Sequence, residues 1–186
     1  METIVNIPRF IKNNPRKNLP NYTSRKLGES NFLLSFARHF LSENNKSRPA
    51  NVLAFREIPA NGYGIVDFLV MSFKKQKQTN KIYYRPHTIY SFEIKLKDWR
   101  KALSQAYRYK YFSHYSIVVL PDKRINSSTI PIDTFKSLNI GLWGYDKENK
   151  TIIKYFTPKK SKPLHSIASE KITNQIMKKF KSQPIF

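Results

Sequence analysis

The sequence predicts a mixed α/β domain. Its central sheet should begin antiparallel and gain a later strand through a helical crossover. Phe32, Phe36 and Phe40 recur every four residues, with Leu33, Ala37 and Leu41 beside them, which is the stripe of an amphipathic helix. Three apolar runs rich in β-formers then follow, broken by a turn signal and a polar stretch. After a second helical pattern comes Tyr115 to Leu120 (YSIVVL), a run apolar but for Ser116 and typical of a strand buried on both faces.

Taken in order, residues 1–28 contain Pro8, Pro15 and Pro20 among Asn, Lys and Arg, and read as an extended basic arm. Ser30 is the expected N-cap of the first helix, and Asn44, Asn45 and Pro49 its end. The first strand spans Val52 to Ile58, and Pro59-Ala60-Asn61-Gly62 marks a turn. Ile65 to Phe73 is the second strand. Lys74 to Lys81 (KKQKQTNK) reads as a polar hairpin tip, and about Thr88 to Leu96 as the third strand, antiparallel to the second. Asp98 is placed to cap a helix that runs to about Phe112, with Trp99, Ala102, Ala106 and Tyr109 on one face. A short helix at Ile132 to Leu138 precedes a hairpin of Ile140 to Tyr145 and Thr151 to Phe156. Pro158 to Pro163 reads as a linker. Ile167 to Phe180 reads as a basic amphipathic helix with Ala168, Ile172, Ile176 and Phe180 in register. The implied organisation is an arm (1–28), one domain (29–156) and a basic linker with a C-terminal helix (157–186).

The chain has 186 residues, with 34 Lys plus Arg against 12 Asp plus Glu, a net charge of +22. Aromatic residues make up 14%, enough with the aliphatic residues to build a core, which excludes wholesale disorder. With no cysteine, a disulfide scaffold and a cysteine zinc site are excluded. No apolar stretch spans a bilayer and the N-terminus lacks a secretory h-region, so the expected location is intracellular, in the cytoplasm with the nucleoid. Both ends and the middle carry excess positive charge, so the expected partner is a polyanion: DNA, or RNA of the same chemistry, and no membrane.

The scarce acids are more informative. Glu57, Asp67 and Glu93 fall in or at the edge of consecutive apolar strands. A carboxylate buried in a strand costs several kcal/mol unless it is paired or bound to a cation. Side chains alternate along a strand, so Glu93 and Lys95 share one face while Phe92, Ile94 and Leu96 take the other. Asp67 on the preceding strand can lie alongside. Two carboxylates and a lysine converging make a hard-cation site with a candidate base, and a divalent cation would relieve the carboxylates' repulsion. A salt bridge to one of the many lysines is the plainer account of each acid taken singly.

Asp67 followed by Glu93-Ile94-Lys95 on the next strand resembles the signature of the PD-(D/E)XK nuclease superfamily. The order αβββαβ over roughly residues 29–121 is similar to that family's restriction endonuclease-like core, here with an extra C-terminal hairpin and helix. Gln105 and Tyr109 fit the Gln-x-x-x-Tyr helix of a recombination-nuclease branch. The proline that often precedes the first acid is replaced by Val66. The resemblance implies a Mg2+- or Mn2+-dependent deoxyribonuclease. Asp67, Glu93, the Ile94 carbonyl and Glu57 would hold metal. Asp67, Glu93, Lys95 and Gln105 would be catalytic, with Glu29 and Tyr109 as accessories. For Glu29 the plainer account is a charge meeting the macrodipole at the start of the first helix.

Lys74, Lys75, Lys77, Arg100 and Arg108 are the expected nucleic-acid contacts, since cations interleaved with Tyr107, Tyr109 and Tyr111 suit phosphate contact and base stacking. The arm and the final helix are candidates for wrapping DNA or forming a homodimer. Beside a DNA endonuclease stand two other readings: a nuclease-fold DNA-binding or accessory subunit that does not cut, and a basic architectural protein without an active site. The four histidines lack ligand spacing, and five glycines form no phosphate loop.

Overall fold

In the computed structural model, residues 24–47, 52–78, 81–126 and 128–181 are described. The elements are α1 (Ser24–Ser47), β1 (Val52–Pro59), β2 (Ile65–Gln78), β3 (Lys81–Ile94), α2 (Trp99–Tyr109), β4 (Tyr115–Pro121), α3 (Ile132–Leu138), β5 (Gly141–Asp146), β6 (Thr151–Phe156) and α4 (Ser166–Lys181). The strands form one sheet in sequence order, antiparallel from β1 to β3, parallel from β3 to β5, and antiparallel again at β6. The architecture is thus α/β with a mixed six-stranded sheet, as the sequence predicts at that level.

Alternation along the strands builds both faces. Phe68, Val70, Phe92, Ile94, Ile117, Val119, Trp143 and Tyr145 face α1 and bury its Phe32, Leu33, Phe36, Ala37 and Leu41. Phe36 sits at the centre, its ring 5.5 Å from Phe92 and 5.6 Å from Tyr145, both edge-on. On the opposite face, Val118, Leu120 and Leu142 pack against α2 and α3 through Ala102, Ala106 and Phe135. Leu53, Phe55, Leu69 and Met71 pack under α4 through Ala168, Ile172 and Ile176. The apolar register expected for α4 is therefore spent within this domain and is not free for a membrane or a second copy. Phe180 lies outside the residues whose side chains are described.

Several boundaries differ from expectation. α1 starts at Ser24, six residues before the expected N-cap Ser30, so 24–28 are helix and not arm. Strong helix formers in Arg25-Lys26-Leu27 extend the turn past Gly28, which tolerates the helix because its bare Cα faces Leu96; a Cβ there would lie 3.3 Å from Leu96 Cδ1. The rest of the arm lies outside the described residues. Lys74 to Lys81 is not a loop: β2 runs to Gln78 and β3 restarts at Lys81, since cross-strand ladder bonds outweigh the polar composition. α2 ends at Tyr109, three residues early, in a turn through Phe112. Asp98 caps it as expected, accepting the Lys101 N–H at 3.0 Å.

The segment 157–165 is strapped to the domain. The Asn139 side chain clamps Lys159, accepting its N–H at 2.8 Å and donating to its carbonyl at 2.9 Å. Further along, the N–H groups of Ser161, Leu164 and His165 donate to the carbonyls of His114, Lys110 and Tyr111. Among the described residues no helix is long and apolar enough to cross a membrane.

Candidate active site

The site forms where β2 and β3 part. Their ladder ends at Phe68 opposite Phe92, which leaves Asp67 opposite Glu93 without backbone pairing. The Asp67 side chain takes over, its Oδ2 accepting the Ile94 N–H at 2.8 Å. On the other side β3 is held by β4, with Lys95 N–H donating to Val119 O at 3.2 Å. An acid at the strand end thus satisfies a backbone donor and is fixed by it.

Lys95 Nζ lies 2.6 Å from Glu93 Oε1, 3.4 Å from Asp67 Oδ2 and 3.2 Å from Ile94 O. Its approach to Glu93 is an ion pair by distance but lacks hydrogen-bond angles, so Glu93 Oε1 is buried without a hydrogen-bond donor. The other oxygen, Oε2, is 2.5 Å from the Tyr109 hydroxyl, which is also 2.6 Å from Ile65 O. Side-chain exposure rises from 0% at Glu93 to 14% at Lys95 and 24% at Asp67, so solvent reaches the cluster from the Asp67 side.

Burial governs the electrostatics. It pushes the Glu93 carboxyl up to about 7, with the Asp67 charge adding and Lys95 opposing. Burial also raises Asp67, against the pull of Lys95 and the Ile94 N–H. For Lys95 burial disfavours the ammonium, but the Asp67 and Glu93 charges outweigh it and the pKa is raised. Tyr109 is raised by burial and then by the Glu93 charge, so its hydroxyl stays protonated.

The other expected residues divide. Gln105 lies one turn before Tyr109, with Oε1 buried and without a hydrogen-bond partner. Glu29 is at the sixth position of α1, past the first turn, so the macrodipole account of it fails; its charge acts instead on Asp67 and Lys95. Glu57 stands opposite Asp67 in the β1–β2 register, between the pairs Arg56–Phe68 and Ile58–Val66. Its backbone is left-handed (φ 53°) and it is exposed. Among the described residues it makes no ion pair with the cluster, and no group of three or more His, Asp or Glu forms a metal cage. Asp67, Glu93 and the Ile94 carbonyl are thus brought together around Lys95, while Glu57, expected to serve a second ion or an outer-shell water, is exposed and apart from them. Arg100 lies over the Trp99 ring at 4.5 Å, and Arg108 is exposed on α2. Lys74, Lys75 and Lys77 lie toward the far end of β2, away from Asp67, and the side chains of Lys75 and Lys77 are outside the described set.

The Tyr109–Glu93–Ile65 link was legible only as a helical Gln-x-x-x-Tyr spacing; its buried hydroxyl contacts were not. Compared with protein-family models, with curated proteins and with solved structures, the chain matches none.

Proposed function

We propose that the chain is a Mg2+-dependent DNA endonuclease with a PD-(D/E)XK-type centre on a restriction endonuclease-like core. The observation that carries the reading is the seat of the Lys95 ammonium, whose neighbours are Asp67 Oδ2, Glu93 Oε1 and Ile94 O. These are three hard oxygen donors around one cation. Glu93 Oε1 is fully buried with the Lys95 ammonium 2.6 Å away as its counter-charge, the place a metal ion would take. Two carboxylates and a carbonyl suit Mg2+, which keeps several waters and needs only one or two carboxylates from a protein.

A bound divalent ion would polarise the scissile phosphate and acidify a coordinated water. The chain supplies the rest. Asp67, fixed by the Ile94 N–H, is the more exposed of the two acids, so a phosphate would approach the cluster from its side. Lys95, once displaced from the seat, remains on the strand to orient the attacking water and meet charge developing on the phosphate. Tyr109 holds Glu93 in one rotamer, and Gln105 offers an unpaired amide oxygen on the same face of α2. The net charge of +22 supplies the attraction for DNA.

A second reading, a DNA-binding or accessory subunit that does not cut, draws on a different observation. Lys95 already neutralises the carboxylates, and no third described acid completes the cluster. Incubation with supercoiled plasmid and with branched DNA, in Mg2+, Mn2+ or EDTA, separates the two. The nuclease reading expects metal-dependent nicking that Glu93→Ala and Lys95→Ala each reduce at least 100-fold (~3 kcal/mol in the barrier). Cutting by both variants at the parental rate would remove this site from the chemistry. Tight DNA binding by a parent that never cuts would establish the accessory role.

A further inference from the structure

The β2–β3 hairpin carries the candidate site at one end and a bare ribbon at the other. β1 stops pairing with β2 at Ser72, and β4 begins pairing with β3 only at Tyr90. Beyond them Lys74–Gln78 pair with Lys81–Arg85, with no third strand on either side among the described residues. The ribbon leaves the sheet at a bulge. Ser72 pairs with Thr88 but Phe73 with Pro86, so His87 is an extra residue. Pro86, which has no N–H for a ladder, sits at that break. Lys74, Gln76, Arg85, Pro86 and His87 are all exposed.

The two strands, KKQKQ and KIYYR, carry five cations and no acid. The register sets Lys74 beside Arg85, Gln76 beside Tyr83 and Gln78 beside Lys81. Of these, Lys74, Gln76 and Arg85 are exposed and share one face of the ribbon by strand periodicity. At the ribbon's foot the strap supplies exposed Lys159, Lys160 and Lys162. Lys160 Nζ donates to Thr88 Oγ1 at 2.9 Å, and the Asn139 clamp on Lys159 fixes the strap there. A ribbon of polar and cationic positions thus rises beside a held row of lysines.

From Asp67 the ribbon begins seven residues on at Lys74 and its paired part ends eleven residues on at Gln78. At about 3.4 Å per residue this is about 24 to 37 Å. One turn of B-DNA is about 34–36 Å. Ribbon and carboxylates therefore cannot touch the same phosphate, but they can touch one duplex a turn apart. We propose that the β2–β3 ribbon enters the major groove of duplex DNA about 7–11 base pairs from the phosphate held at Asp67, Glu93 and Lys95. The strap lysines contact backbone phosphates between the two. The inference rests on the nuclease reading and adds where and in what form the substrate is held. The major groove of B-DNA, about 12 Å wide, admits a two-stranded ribbon, whereas the deep, narrow groove of A-form RNA does not. Glutamine amides match adenine edges there, and lysine and arginine match guanine edges and phosphates.

The test uses the full chain in EDTA, titrated onto labelled random-sequence duplexes of about 8 to 30 base pairs, lengths spanning one helical turn, and onto matched single strands. Parental affinity should rise once the duplex exceeds about one turn. The exposed-surface variant Lys74→Ala/Gln76→Ala/Arg85→Ala should bind long duplexes at least tenfold more weakly. Its slope of log affinity against log salt should be smaller by about 2, with little loss on the shortest duplex. Guanine N7, a major-groove atom, should be protected from methylation by the parent and not by the variant. Parental affinity in the triple variant, or unprotected N7 with competition from a minor-groove ligand, would overturn the proposal. If Glu93→Ala stops cutting while the triple variant binds and cuts like the parent, the ribbon alone is wrong. If Glu93→Ala cuts normally while the ribbon effects appear, the nuclease centre alone is wrong, and a parent that binds no duplex removes both.

Discussion

The Tyr109 hydroxyl lies 2.5 Å from Glu93 Oε2 while also lying 2.6 Å from the carbonyl of Ile65. The one phenolic proton is shared between the two acceptors, and its bond to the carboxylate opposes the burial and the Asp67 charge that push the Glu93 pKa up to about 7. The hydroxyl therefore ties the start of β2 to the end of β3 and holds the cluster's most buried acid.

Tyr109→Phe removes that tie with little change in volume. Ile65 O and Glu93 Oε2 each lose a partner in the interior. The expected cost is about 1–3 kcal/mol. Urea unfolding should show it as a lower midpoint with an unchanged slope. A midpoint equal to the parent's would mean that the hydroxyl is not holding β2 to β3.

The raised Glu93 pKa also fixes how stability depends on pH. A carboxyl whose folded pKa lies above its unfolded value keeps its proton more tightly in the native state. Its contribution is present below the unfolded pKa and is lost as pH rises through the folded one. For Glu93 the window runs from 4.5 to about 7, and Asp67, also raised, acts in the same direction. The unfolding free energy should fall across this window by on the order of 3 kcal/mol, because the side chain is fully buried. Glu93→Gln, which does not titrate, should flatten the profile. A parental stability that climbs between pH 4.5 and 7 would contradict the burial-driven shift.

Much of this arrangement could be read from the chain. Strand alternation placed Glu93 and Lys95 on one face and Asp67 beside them, and the short helix at Ile132 to Leu138 is found at those bounds. What failed shares one cause, that a local pattern gives no information about partners far along the chain. The polar run Lys74 to Gln78 is strand because Lys81–Arg85 pairs with it. The linker-like Pro158 to Pro163 is a fixed strap because Asn139 clamps it from twenty residues away. Glu57, in a run of β-formers, turns left-handed opposite Asp67, a backbone state that strand propensity does not foresee. The Tyr109 contact with Ile65 spans 44 residues and depends on how α2 packs, which its spacing alone does not give.

Lys95 sits on the three oxygens that the nuclease reading assigns to a divalent ion, so the two cations compete for one seat. Removing the ammonium by Lys95→Ala leaves Asp67 and Glu93 facing each other with nothing between, which raises the value of any cation that arrives. Mn2+ binding, measured by calorimetry at pH 8, above the parental Glu93 value of about 7, should therefore be tighter in Lys95→Ala than in the parent by about tenfold (~1.4 kcal/mol). Asp67→Asn should weaken it instead. Mn2+ should also raise the unfolding midpoint of Lys95→Ala more than that of the parent, since a ligand that binds only the folded state stabilises it in proportion to its affinity. Weaker Mn2+ binding in Lys95→Ala would mean that the lysine organises the carboxylates instead of occupying their cation seat.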